Sequence, residues 1–285
     1  MRKTMLLSGY LFQWYMKKGG WLIYGMSMGI GILSAVAVAF GGLFGENNVY
    51  LAKGFLPYEI ILDRSWIPVC FLVGMILLAM HLFWQMRKYR MGGKGIYTFY
   101  TLPMEGKQTA ASFLLTAGAI LFFYYALWLI LILVMYFPLM KAMVSLAAQQ
   151  EFLMADGSIV TGLDATRNNG LFLAFVRSGF LRMFYSIQWQ VLLSVMMTLA
   201  LLAALSCYSA LQENIGVFVL LVLYAVGSTV YYGADSSFLF FGDGWSGGRR
   251  SVDTSLFLAV SVLFLLWTIW NIVTLCRRFE KPRAK

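Results

Sequence analysis

Six stretches of this chain are apolar for long enough to cross a bilayer, and no other feature limits its fold as tightly. A hydrocarbon core about 30 Å thick takes roughly 20 apolar residues in helical form. The runs lie at Trp21–Phe44, Trp66–Phe83, Thr109–Phe137, Trp189–Cys207, Gly216–Tyr232 and Leu256–Cys276. Lipid offers no water to satisfy backbone groups, so these spans are expected as helices. A transmembrane β-barrel needs ten-residue segments of alternating polarity, and none is visible. Composition points the same way. The chain is 61% hydrophobic and 12% charged, where a soluble domain carries about 25% charged residues. Its mean hydropathy is +0.76. Too little polar surface exists to cover a water-soluble globule.

The charges report orientation. A net charge of +10 in a soluble protein points to nucleic acid. Here the basic residues sit beside apolar spans and read as topology signals, so no nucleic-acid partner is expected. With the N-terminus inside, the inner segments hold Arg2, Lys3, Lys17, Lys18, Arg87, Lys88, Arg90, Lys94, Lys107, Arg277, Arg278, Lys281, Arg283 and Lys285, against Glu105, Glu213 and Glu280. This predicts a multi-pass protein with both termini in the cytoplasm; the expected location is the bacterial plasma membrane. Residues 1–20 begin like a signal peptide, but Ser8, Gln13 and several aromatics interrupt the apolar part and no small-x-small cleavage site follows. They are read as a retained interfacial helix. The expected fold is an all-α membrane protein: this elbow helix, then one six-helix domain over 21–285. Its cytoplasmic loop is 87–108, and its outer connections are 45–65, 138–188 and 233–254.

Chemistry-bearing constellations are nearly absent. Cys70, Cys207 and Cys276 are far apart and form no CxxC pair. His81 stands alone, which fits helix packing or an interface better than haem or zinc ligation. The GGKG at 92–95 lacks the rest of a phosphate-binding loop and reads as a turn. No catalytic, cofactor or metal residue is therefore expected, and the chain is not expected to be an enzyme.

Two patterns carry more than one reading. Ser27, Gly31, Ala35 and Ala39 recur every fourth residue in the first span, beside the GxxxG of Gly25 and Gly29. Small residues at this spacing let helices approach closely, within the chain or at a subunit interface. Arg177 and Arg182 sit in an apolar stretch of the connection 138–188. They fit an interfacial helix whose arginines snorkel, a backward extension of the fourth span, or a substrate path.

The inner segment 87–108 reads RKYRMGGKGIYTFYTLPMEGKQ. Its glycines break the preceding helix. The following IYTFYTL is apolar, aromatic and too short to span, so it predicts a short surface helix. Pro103 suits the first turn of a new helix, and Glu105, two residues later, suits its dipole. Basic residues, a short aromatic stretch, Leu-Pro, and a lysine before a long span resemble the integral membrane subunits of ABC-2-type ABC transporters. The six spans, basic N-terminal elbow and basic tail fit the same layout. So does the segment 231–254, where the family commonly carries short re-entrant helices. The stretch after Leu-Pro departs from the family pattern, with Met104-Glu-Gly-Lys107 in place of a more basic run.

The resemblance implies a permease that carries the translocation path while separate ATPase subunits bind ATP and Mg. It implies that the inner loop docks on the ATPase, with Tyr97, Leu102, Pro103, Met104, Glu105 and Lys107 as the coupling residues. A second permease copy or a related permease would complete the path. Abundant Phe, Tyr, Trp and Met suit an amphipathic or apolar cargo, such as a peptide, a lipid-like molecule or a drug, though aromatics also serve simply to anchor spans at the membrane interfaces. The competing readings are a membrane sensor or assembly protein that transports nothing, and a secondary transporter.

Overall fold

The computed structural model describes residues 2–41, 58–90, 94–147, 151–153, 159–161, 170–178, 180, 181 and 184, isolated positions between 196 and 223, and 254–280. The chain is a helical membrane protein. Three helical stretches, Arg2–Phe40, Ile67–Tyr89 and Gly106–Ala142, are long and apolar enough to cross a bilayer. They coincide with the first three expected spans. The expected fourth and fifth spans lie largely outside the described residues, and the sixth falls within a helix at Thr254–Glu280.

The first stretch is two helices joined by a bend. Helix α1 spans Arg2–Tyr15, a π-helical turn covers Met16–Gly20, and α2 runs from Trp21 to Gly41. Gly19 makes the bend, with φ at +123°. A side chain strongly disfavours that conformation. Gly19→Ala is expected to cost about 1–2 kcal/mol. A melting curve in detergent that does not shift would show that the bend is not set by this residue.

Helix α3 covers Tyr58–Arg64 and α4 covers Ile67–Met86. The α3 helix lies in what was expected to be a connection at 45–65. It is held because Tyr58, Ile61 and Leu62 face inward and are fully buried. Helices α2 and α4 run antiparallel. The Trp66 N–H donates to Ser34 Oγ at 3.1 Å, Gly31 lies by Ile67, Ser27 by Gly74, and Gly19 by His81.

A four-residue helix, α5, spans Tyr97–Tyr100, and α6 spans Gly106–Ala147. The third span was expected to end at Phe137, but α6 continues ten residues further, through Pro138. Proline removes only the hydrogen bond to the Val134 carbonyl, and both positions are exposed. Beyond α6, strands β1 (Glu151–Leu153) and β2 (Ile159–Thr161) pair antiparallel, with Phe152 opposite Val160. This small ribbon is the only strand pairing among the described residues. Helix α7 (Leu171–Arg177) is tied to α3 by Ser178 Oγ, which donates to Asp63 Oδ1 at 2.6 Å. Helix α8 (Thr254–Glu280) packs along α6.

Helices α2, α4 and α6 meet at a polar knot. Tyr124 donates its hydroxyl toward Ser27 Oγ at 3.1 Å, with the carbonyls of Cys70 and Phe71 at 3.3 Å. Tyr24 donates to the Ile120 carbonyl at 2.5 Å. Trp128 is fully buried one turn further along α6, against Gly31. Ser27, Gly31, Ala35 and Ala39 are all buried here. The candidate subunit interface is therefore occupied within the chain. Small residues on α2 make room for the large aromatics of α6, Ser27 for Tyr124 and Gly31 for Trp128, as the within-chain reading of the stripe expects. Gly25 and Gly29 lie on a different face of α2, where an added methyl meets nothing within 4 Å.

Candidate functional site

The segment from Arg87 to Gln108 folds as a chain of short turns pinned at a few buried points. One 3₁₀ turn, Arg87–Tyr89, ends α4, and a second, Lys94–Ile96, leads into α5. Residues 91–93 between them, including two of the expected hinge glycines, lie outside the described set. Gly95 presses on the backbone carbonyl of Lys88, with no room for a methyl. The hydroxyls of Thr98 and Thr101 cap the turns, donating to Gly95 O at 2.7 Å and Thr98 O at 2.9 Å. The expected short helix is present.

Aromatic packing fixes this segment to the bundle. Phe99 is 6% exposed and lies edge-on between Tyr89, at 4.9 Å, and Phe113, at 5.0 Å. Such pairs add about 0.5–1.5 kcal/mol each beyond the burial itself. Met104 is 8% exposed, and Leu102 is half-buried against the core. Tyr97 is 61% exposed, and Pro103, Glu105 and Lys107 also face outward. The six candidate coupling residues thus divide into two anchors and four presenting positions on one loop.

The start of α6 differs from expectation. Pro103 is not in its first turn. The Met104 N–H donates back to the Leu102 carbonyl at 2.7 Å, which closes a tight turn around the proline. The helix begins at Gly106, and the Glu105 carbonyl accepts from the Thr109 N–H at 3.1 Å. Glu105 is the residue that caps the helix rather than its third member. Its carboxylate still stands at the positive end of the helix dipole.

Helix α1 supports the loop from the side. Lys3 Nζ donates to the Pro103 carbonyl at 3.1 Å. Ser112 Oγ donates to the Thr4 carbonyl at 3.2 Å, and Thr116 Oγ1 lies 3.2 Å from Ser8 Oγ. Phe12 meets Phe123 at 6.0 Å. These pairs follow one another in order, so α1 runs beside the first five turns of α6 in the same direction. Arg2, Lys3, Leu102, Met104, Glu105 and Gln108 help line an open cleft of about 580 Å³ between helix and loop. The sequence did not mark Lys3, Thr4 or Ser8 as parts of this site. The available signal was two matched small-polar pairs at four-residue spacing, Thr4/Ser8 and Ser112/Thr116.

The other singled-out residues lie elsewhere. Arg177 is the last residue of α7, and Arg182 lies outside the described residues. His81 sits at the α1–α2 bend, edge-on to Tyr15 at 4.7 Å. Its Nε2 is buried with no hydrogen-bond partner among the described residues. No protein-family model, curated protein or solved structure matches the chain.

Proposed function

We propose that this chain is the transmembrane permease subunit of an ATP-driven, ABC-2-type transporter that exports an amphipathic or apolar cargo. In this reading the fold has six spans and both termini lie in the cytoplasm. The energy comes from a separate ATPase subunit that binds ATP and Mg. The observation that carries the proposal is the form of the loop between α4 and α6. Phe99 and Met104 bury it against the bundle, Lys3 holds it from α1, and Tyr97, Pro103, Glu105 and Lys107 remain outward. A partner that moves such a loop also moves α6, because only Glu105 separates the Pro103 turn from the first residue of the helix. A conformational change is driven only by differential interaction with its two states, and a seated loop transmits that difference where a slack tether dissipates it.

The test is co-purification with a P-loop ATPase encoded beside this chain, followed by hydrolysis measurements in lipid. The expected result is a stable complex whose hydrolysis is stimulated by cargo and blocked by vanadate. A stable, folded chain that recruits no ATPase overturns the proposal and favours a non-transporting membrane protein.

A further inference from the structure

The bend between α1 and α2 carries two adjacent cations, Lys17 and Lys18, both exposed. Its depth follows from α4. Trp66 and Trp84 are exposed at opposite ends of that helix. Eighteen residues separate them, a rise of about 27 Å, which matches the hydrocarbon thickness of a bilayer. Exposed tryptophans at that separation mark the two interfaces. Gly19 sits against His81, less than one turn from Trp84. The bend therefore lies at the Trp84 rim, and Trp21, the first residue of α2, is exposed beside it.

These cations have no acidic neighbour nearby in the sequence. Segments 1–45 and 65–104 together contain eight lysines and arginines and no aspartate or glutamate. The acid that follows, Glu105, belongs to the cleft at the far end of α1, beside Lys3. Lys17 and Lys18 form no salt bridge or hydrogen bond among the described residues. Other basic residues around α1 are engaged: Lys3, at its far end, with Pro103, and Lys88, near the bend, with Gln85 Oε1 at 2.9 Å and the Trp14 ring. A cation pair at the lipid interface, next to an exposed tryptophan, is complementary to an anionic group that lies at that same depth. We propose that the Lys17–Lys18 bend seats the head group of an anionic phospholipid.

Phosphatidylglycerol and phosphatidylcholine are suitable probes because they differ in head-group charge. The full chain in mixed nanodiscs, examined by native mass spectrometry, is expected to retain phosphatidylglycerol preferentially. Lys17→Gln/Lys18→Gln is expected to reduce that preference roughly tenfold to thirtyfold, from the attraction each basic residue near an anionic surface supplies. Lys17→Arg/Lys18→Arg is expected to keep it. The variant Lys88→Gln/Lys94→Gln removes the same charge elsewhere on this end and is expected to keep most of it. Equal losses in the two Gln pairs, or no preference in the wild type, overturn the proposal. A lysine-acylation footprint separates lipid from free phosphate. Protection of Lys17 and Lys18 by phosphatidylglycerol vesicles, without protection by soluble glycerol phosphate, supports a lipid site. Equal protection by both overturns it. Unchanged melting of the variants shows that the fold is intact.

Discussion

Gly74→Ala is expected to destabilise the bundle by about 2–4 kcal/mol, as overpacking adds to the loss of buried hydrogen bonds. A methyl at Gly74 runs directly into the Tyr124 hydroxyl and lies 2.9 Å from the Ser27 side chain. Tyr124 is fully buried, so its ring has nowhere to swing. The hydroxyl must leave Ser27 and the carbonyls of Cys70 and Phe71, and inside a bilayer no water replaces them. A second substitution makes this specific. Tyr124→Phe removes the oxygen that the methyl strikes, so the double variant should recover more than 1 kcal/mol relative to the sum of the singles, within the range of direct coupling. Unfolding in mixed micelles measures all four corners of the cycle. If Gly74→Ala costs under about 0.5 kcal/mol, or if the two changes simply add, the knot is looser than described.

On the proposed permease function, replacing Leu102-Pro103-Met104 with Gly-Ser-Gly is expected to bring cargo transport close to background while leaving the chain in the membrane. The change removes the Met104 anchor, the half-buried Leu102 and the proline turn together, so the loop loses its seat on α6. The spans lose little, since the knot around Tyr124 lies several turns away. Tyr97→Ala provides the complementary case. It strips an exposed side chain, so it should weaken association with the ATPase and leave thermal stability unchanged. Transport and ATPase association that survive the Gly-Ser-Gly replacement would falsify the coupling role of this loop.

Much of this was legible in the residues, and the misses have physical causes. The first three spans follow from apolar run length. The elbow's end follows from Gly19-Gly20, and α5 follows from glycines on one side and a proline on the other. The α3 helix was not legible, because YEIILDR is short and carries three charges; the contacts that hold it come from distant segments, α2 and α7 as well as α6, where Tyr58 donates to the Ile132 carbonyl at 2.6 Å. The passage of α6 through Pro138 was missed because a proline usually ends a helix. The small-residue stripe on α2 was read as a close-packing face, within the chain or at a subunit interface, and its partner was left open. Periodicity says which face is small and leaves open what fills it. Tyr124 and Trp128, four residues apart on α6, match Ser27 and Gly31, four apart on α2, and that pairing was the unused signal. The Lys3–Pro103 contact joins residues 100 positions apart, which no local pattern encodes.

The 42 residues of α6 make a beam about 63 Å long, roughly twice the thickness of the hydrocarbon it crosses. The loop is bolted to one end, and α3 braces it past the midpoint through Tyr58, which donates to the Ile132 carbonyl. A tilt of about 5° about the midpoint carries each tip some 3 Å in opposite directions, from that length alone. Displacement applied at one water-facing surface is thus delivered to the other without an intervening joint. The single rung missing from its backbone ladder, at Pro138, lies near the tip remote from the loop. Any compliance is concentrated there, and the 32 residues before it swing as one piece.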